Sequence, residues 1–138
     1  MQEVRVFIPE EIHTILKFRQ EEMPGVAVIN TGLRNFGQKT VFPWHLSLMI
    51  DFEDVIENGM PSQKERDIVD PFGDYLNDLF KGANVEKPNA LFLGRITWNA
   101  TKELIWRVYD PQLVEKELKR IIKGNSSPGH LITGWIMI

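Results

Sequence analysis

Two arginines and a tyrosine, spaced along what read as neighbouring strands, are the side chains here best suited to recognising another molecule. Residues 90–109 have the pattern of a β-hairpin turning at Asn99-Ala100-Thr101. With Trp98 paired to Lys102, one face carries Leu91, Leu93, Arg95 and Thr97 against Glu103, Ile105, Arg107 and Tyr109. His45 and Ser47 from an earlier strand could join them. A guanidinium makes forked hydrogen bonds to a carboxylate or phosphate, so Arg95 and Arg107 could clamp an acidic peptide or a phosphate. Tyr109 beside them could stack a single-stranded base. The plainer alternative is a solvated face on which Glu103 pairs with Arg95 or Arg107, and such exposed pairs contribute little.

Other chemistries find less footing. The chain has no cysteine, hence no thiol nucleophile, disulfide framework or cysteine-ligated metal. No Gly-x-Ser-x-Gly elbow occurs, and His13, His45 and His130 are scattered. Neither a His-x-x-x-His pair nor a calcium-loop spacing is present, so no metal or other cofactor is expected. Phosphate-binding glycine loops are missing too. Asp51, Glu53, Asp54 and Glu57 cluster after the long strand, where paired carboxylates could do acid–base work. Perturbed carboxylates need burial, however, and a loop at a strand end usually stays wet.

The elements that must position these residues are legible in part. From 41 to 53, Phe42, Trp44, Leu46, Leu48, Ile50 and Phe52 share one parity, with Pro43, His45, Ser47, Met49, Asp51 and Glu53 on the other. That alternation predicts a long strand with one buried face. Ser62 and Glu65 form a capping-box pattern opening a helix to Lys81, with Ile68, Phe72, Leu76, Leu79 and Phe80 in phase and Gly82 as the stop. Pro71 inside it predicts a kink or a coaxial restart. In the hairpin, the expected register sets Ile96 opposite Leu104, Gly94 opposite Trp106 and Phe92 opposite Val108 on the core face. Asp110-Pro111 starts a second helix buried through Val114, Leu118, Ile121 and Ile122 and ended by Gly124. Asn125 to Gly129 reads as a loop, and His130–Ile138 as a last strand. Residues 3–8 suggest a short strand. Pro9-Glu10-Glu11 then opens either a helix or the approach to a hairpin, in which Leu16 and Phe18 turn at 22–25 into Val26–Ile29.

Composition sets the outer bounds. The 138 residues, 43% hydrophobic and 25% charged, suit one domain spanning 1–138 with a core of its own. A net charge of −3 gives no electrostatic footprint for nucleic acid. No basic leader or membrane-length apolar run occurs, so a cytoplasmic protein with no membrane partner is expected. The expected fold is α+β: a two-layer sandwich, an antiparallel sheet with two helices on one face, ferredoxin-like or a close variant. Such a sheet leaves its far face open.

Asn58-Gly-Met-Pro-Ser62-x-x-Glu65, Gly94-Arg-x-Thr97 and Glu103-Leu-x-Trp-x-Val-x-Asp110 together resemble a bacterial domain-of-unknown-function family, number 695, over roughly residues 12–123. A more distant similarity is to B-type regulators of ribonuclease E activity, which implies a ferredoxin-like α+β fold. The family resemblance implies a bacterial, cytoplasmic setting and carries no assigned activity, so no catalytic residue transfers. Three functional readings follow. The first is a non-enzymatic protein-binding or regulatory module using the open sheet face, with a homodimer if the apolar last strand forms an edge. The second is a small-ligand binder or enzyme with a pocket built from His45, Asp51, Arg95 and Tyr109. The third is a regulator of RNA metabolism, resting on fold analogy alone.

Overall fold

A computed structural model describes residues 8–84, 86–124 and 127–137. Its elements are β1 (His13–Gln20), β2 (Met23–Asn30), β3 (Trp44–Asp51), α1 (Gln63–Lys81), β4 (Ala90–Trp98), β5 (Thr101–Val108), α2 (Pro111–Lys123) and β6 (Leu131–Met137). This is an α+β fold with one six-stranded sheet of order β1-β2-β4-β5-β3-β6, antiparallel throughout. The expected strand over 3–8 lies outside the described residues, except for Ile8, which is not in a strand.

The N-terminal alternative resolves as the hairpin. Glu21 and Glu22 both take positive φ, 51° and 64°, as a two-residue type I′ turn requires. The turn is therefore tighter than the 22–25 corner expected, and Met23 and Pro24 already belong to β2. Asn99 and Ala100 do the same between β4 and β5, at 45° and 65°.

Alternation in β3 is as expected: Leu46, Leu48 and Ile50 are fully buried. They meet Leu104, Trp106 and Val108 of β5, Val69, Leu76 and Phe80 of α1, and Val114, Leu118 and Ile121 of α2 in one core. Both helices thus send their buried side chains into that core. Trp106 is its largest fully buried side chain, edge-on to Phe80 at 4.9 Å, and its indole N–H donates to Asn77 Oδ1 at 3.1 Å. A buried indole needs such a partner.

Helix α1 runs unbroken through Pro71. Its buried stripe is Glu65, Val69, Gly73, Leu76 and Phe80, one residue out of the expected phase at its start, so Ile68 faces solvent. Ser62 Oγ accepts the Glu65 amide at 3.1 Å, as a cap should. The Glu65 carboxylate does not close the box on Ser62, however; it accepts the Asp54 amide at 3.0 Å and ties the preceding loop to the helix. In α2, Asp110 caps the Gln112 amide at 3.0 Å as expected, and Ile122 is exposed instead of buried.

The largest departure lies in the β4–β5 ladder. Trp98 pairs with Thr101, not Lys102, and that register holds back to Gly94 opposite Ile105. Between Gly94 and Phe92 it slips by one, so Phe92 pairs with Trp106 and Leu91 with Arg107. Leu93 is the extra residue of a β-bulge, and a bulge inverts the facing of everything beyond it. The Asn30 amide donates to the Phe92 carbonyl at 2.9 Å, serving a buried acceptor at the edge of the bulge. Gly94 has no room for a side chain: a Cβ there would come within 2.8 Å of the Val28 carbonyl oxygen.

Candidate functional site

The bulge decides which residues share the sheet face remote from the helices. Leu104 is buried in the core and Arg95 stands opposite it, as well as opposite buried Val28 of β2. Arg95 therefore lies on the core side of the sheet, and the expected trio of Arg95, Glu103 and Arg107 on one face is corrected. Ile96 and Trp98, expected on the core side, take the remote face instead, with Ile96 opposite Glu103.

Of the other expected residues, His45 and Arg107 are directly opposite each other across β3 and β5, both half-buried. Arg107 Nε donates to the Phe42 carbonyl at 2.9 Å, which fixes the guanidinium plane at the sheet surface. Glu103 pairs with neither arginine and accepts a hydrogen bond from the Ser47 hydroxyl. Tyr109 lies just past the end of β5 and is 62% exposed. Among the described residues, neither the groove beside Leu16 and Ile29 nor the cavity beside Glu11 and Lys81 is lined by His45, Asp51, Arg95 or Tyr109.

That face is not wholly open. Leu33, Phe36 and Phe42, from the segment between β2 and β3, pack over Leu91 as a second small core. Phe42, read from its parity as a main-core residue, belongs to this one. Two short 3-10 turns, Thr31–Leu33 and Lys39–Val41, shape the segment, and Lys39 Nζ holds it by donating to the carbonyls of Leu33 and Phe36 at 2.9 and 2.8 Å.

Beyond that cover the face mixes apolar side chains with Thr14, Ser47 and Glu103. Leu16–Ala27–Ile96–Glu103–Met49–Ile132 forms one transverse row by strand register, and Thr14–Ile29–Gly94–Ile105–Ser47–Gly134 forms the next. Leu16, Ile29, Ile132 and Ile136 are 40–63% exposed. A groove of about 450 Å³ runs between Leu16, Ile29 and Leu93, with Lys39 and exposed Arg34 also lining it. The sequence held a signal for this: Leu91, Phe92 and Leu93 are consecutive apolar residues followed by glycine, where a simple strand would alternate.

A second cavity of about 300 Å³ lies between the β1 approach and the end of α1, lined by Pro9, Glu11, Asn30, Lys81 and Phe92 among others. Glu11 there accepts from Lys81 Nζ and pairs with His13 Nε2 at 3.1 Å. Burial alone would raise its carboxyl pKa, but the hydrogen bonds from Lys81 and His13 prevail and hold it below the ordinary value. Lys102 is another polar group that strand reading left unremarked: 5% exposed on the core side, it pairs with Asp70 at 2.8 Å. Among the described residues, no three His, Asp or Glu side chains gather in a way that could hold a metal ion, and no helix is long and apolar enough to cross a membrane.

No curated protein and no solved structure gives a significant match to the chain. A family of unknown function, DUF695, matches residues 16–131. Spanning all six strands in whole or part and both helices, that match shows that the chain belongs to the DUF695 family.

Proposed function

We propose that this chain is a non-enzymatic protein-binding module that docks an amphipathic, acidic segment of a partner on the sheet face remote from the helices. The observation that carries the reading is the set of apolar side chains Leu16, Ile29, Ile96, Ile105 and Met49 on this face, the first two exposed and the others half-buried, beside Arg107, Arg34 and Lys39. Uncovered apolar patches of this extent on a folded domain commonly mark an interaction site. Apolar side chains of the partner would fill the groove at Leu16 and Ile29. Its carboxylates would meet the cations at the rim, where forked pairing to arginine gives orientation as well as affinity. His45 and Tyr109 flank Arg107 in this reading; Glu103, held by Ser47, sets the polar limit of the patch.

The run β3-α1-β4-β5-α2-β6, with strand order β4-β5-β3-β6, supports reading this part as a two-layer, ferredoxin-like sandwich extended by the β1–β2 hairpin. The same reading takes 1–138 as a single domain working in the cytoplasm.

The test is recovery of the tagged protein from lysate of its host, with and without ribonuclease, in four forms: unaltered, Leu16→Asp, Arg107→Glu and Arg95→Glu. The expected result is a nuclease-resistant protein partner that Leu16→Asp and Arg107→Glu each lose and Arg95→Glu keeps, since Arg95 lies on the other side of the sheet. Loss on Arg95→Glu alone would overturn the assigned face. Recovery of nucleic acid, with steep salt dependence, would transfer the weight to RNA regulation.

A further inference from the structure

The sheet has two edges, and they are built differently. β1 carries Lys17 and Arg19, charges of the kind that discourage a strand from pairing with a stranger. β6, Leu-Ile-Thr-Gly-Trp-Ile-Met, has no charge, no proline and an unbroken register with β3. Ile132, Ile136 and Met137 on it are 54–63% exposed. We propose that β6 is an interface with a second copy of this chain, the two β6 strands pairing antiparallel about a twofold axis at Gly134.

The hydrogen-bond phase supports that register. Asp51 N–H donates to the His130 carbonyl at 3.1 Å, one step beyond Ile50 opposite Leu131. Backbone groups alternate sides along a strand. His130, Ile132, Gly134 and Ile136 therefore direct theirs towards β3, leaving those of Leu131, Thr133, Trp135 and Met137 turned outward. Antiparallel pairing centred on Gly134 sets Leu131 against Met137 of the other copy and Thr133 against Trp135. Every outward donor and acceptor of one strand then meets its counterpart in the other.

The side chains agree. Ile132 of each copy faces Ile136 of the other on the remote face, a β-branched cross-strand pair made twice by the symmetry. At the axis Gly134 faces itself in a non-hydrogen-bonded position, where the backbones come within about 4.5 Å. Nothing lies within 4 Å of the site a Cβ would occupy there. The occupant is thus a second copy, because the sequence of β6 is complementary to itself in the one register centred on its middle residue. The resulting sheet would be continuous across both copies and would double the apolar face. This inference does not depend on the docking reading: a monomer could still bind there, and a dimer could form without it.

An edge of seven residues belongs to the smaller interfaces, so dissociation on the order of micromolar is expected. Sedimentation equilibrium across a wide concentration range should show a monomer–dimer equilibrium. Ile136→Lys, at an exposed position, should weaken it by at least tenfold without loss of folding by circular dichroism. Because the chain has no cysteine, Gly134→Cys introduces a unique thiol. Cα atoms about 4.5 Å apart can be bridged, so it should form a disulfide-linked dimer under mild oxidation. Thr14→Cys, on the other edge strand, should not. A protein that stays monomeric to high concentration, an assembly larger than a dimer, a dimer indifferent to Ile136→Lys, or equal cross-linking at both cysteines would overturn the proposal.

Discussion

Asn30 holds three parts of the molecule with one side chain, and replacing it tests the account of the bulge. It is 6% exposed; its Oδ1 accepts the amides of Ile12 at 3.0 Å and Gly32 at 3.1 Å, and its Nδ2 donates to the Phe92 carbonyl at 2.9 Å. At about 1 kcal/mol net for each of the three hydrogen bonds, plus about 1–3 kcal/mol for a buried carbonyl left unmatched, Asn30→Ala should destabilise by about 4–6 kcal/mol. For a chain of this size that is a fall of roughly 10 °C or more in Tm. Asn30→Asp is the sharper variant, since it keeps both acceptor roles but sets a carboxylate against the Phe92 oxygen. Burial and the opposed Phe92 oxygen raise the carboxyl pKa and outweigh the two amide donors, which lower it, so the folded form would hold the proton above the unfolded value of about 3.9. The native state then binds more protons in that interval. The penalty relative to the unaltered protein is smallest below both pKa values, grows as pH rises between them, and is full at neutral pH. Urea midpoints of both proteins at pH 7 and near pH 4 would measure it. An Asn30→Asp protein as stable as the parent at pH 7, or a penalty that deepens on acidification, would refute the reasoning.

Two glycines should respond oppositely to alanine, as thermal denaturation can show. Gly73→Ala should stabilise by about 0.5–1 kcal/mol, because it sits mid-helix and a Cβ would make ordinary contact with Leu104 at 3.7 Å. Gly94→Ala should cost about 1–3 kcal/mol, since the Val28 backbone oxygen stands 2.8 Å from the added carbon and cannot swing aside. The pairing of Glu11 with Lys81 and His13 holds its folded pKa low, so its stabilisation is present above the unfolded pKa and lost as pH falls through the folded one. Glu11→Gln should therefore lower stability at pH 7 by about 1 kcal/mol or less for a half-buried pair, seen as a lower urea midpoint, and by a smaller amount at pH 3. An equal difference at both values would contradict that assignment.

Wherever one local rule governed, the sequence was readable. Alternation from Trp44 to Asp51, the caps at Ser62 and Asp110 and the α2 stripe through Ile121 all stand in the structure. The misreadings arose where a distant contact overrode a local pattern. A two-residue turn at Asn99-Ala100 replaced a three-residue one, and the bulge at Leu93 added a second one-residue shift, which returned Phe92 to the core face but opposite Trp106 instead of Val108. Each event moves a strand by one residue, and one residue reverses its facing. Arg95 and Ile96 exchanged sides for that reason, which altered the candidate site more than any error in element boundaries. Phe42 has the right parity for the main core but lies ahead of β3, where the chain bends to cover Leu91. Glu65 bonds to Asp54 across a loop that no spacing rule specifies.

The strand order also divides the sheet by how its seams must form. β1–β2 and β4–β5 close through two-residue turns, and hairpins of that kind assemble in about microseconds. β3 instead joins β5 across α1 and β4, and β6 across most of the remaining chain. Closing such loops costs entropy before any contact returns it, so β3 is expected to dock late and to govern the overall rate. Until then the residues that become fully buried, Leu46, Leu48 and Ile50, are open to solvent with both strand edges unpaired. The refolding chain is most prone to aggregate during that interval, and dilution should raise the yield most when β3 has not yet been enclosed.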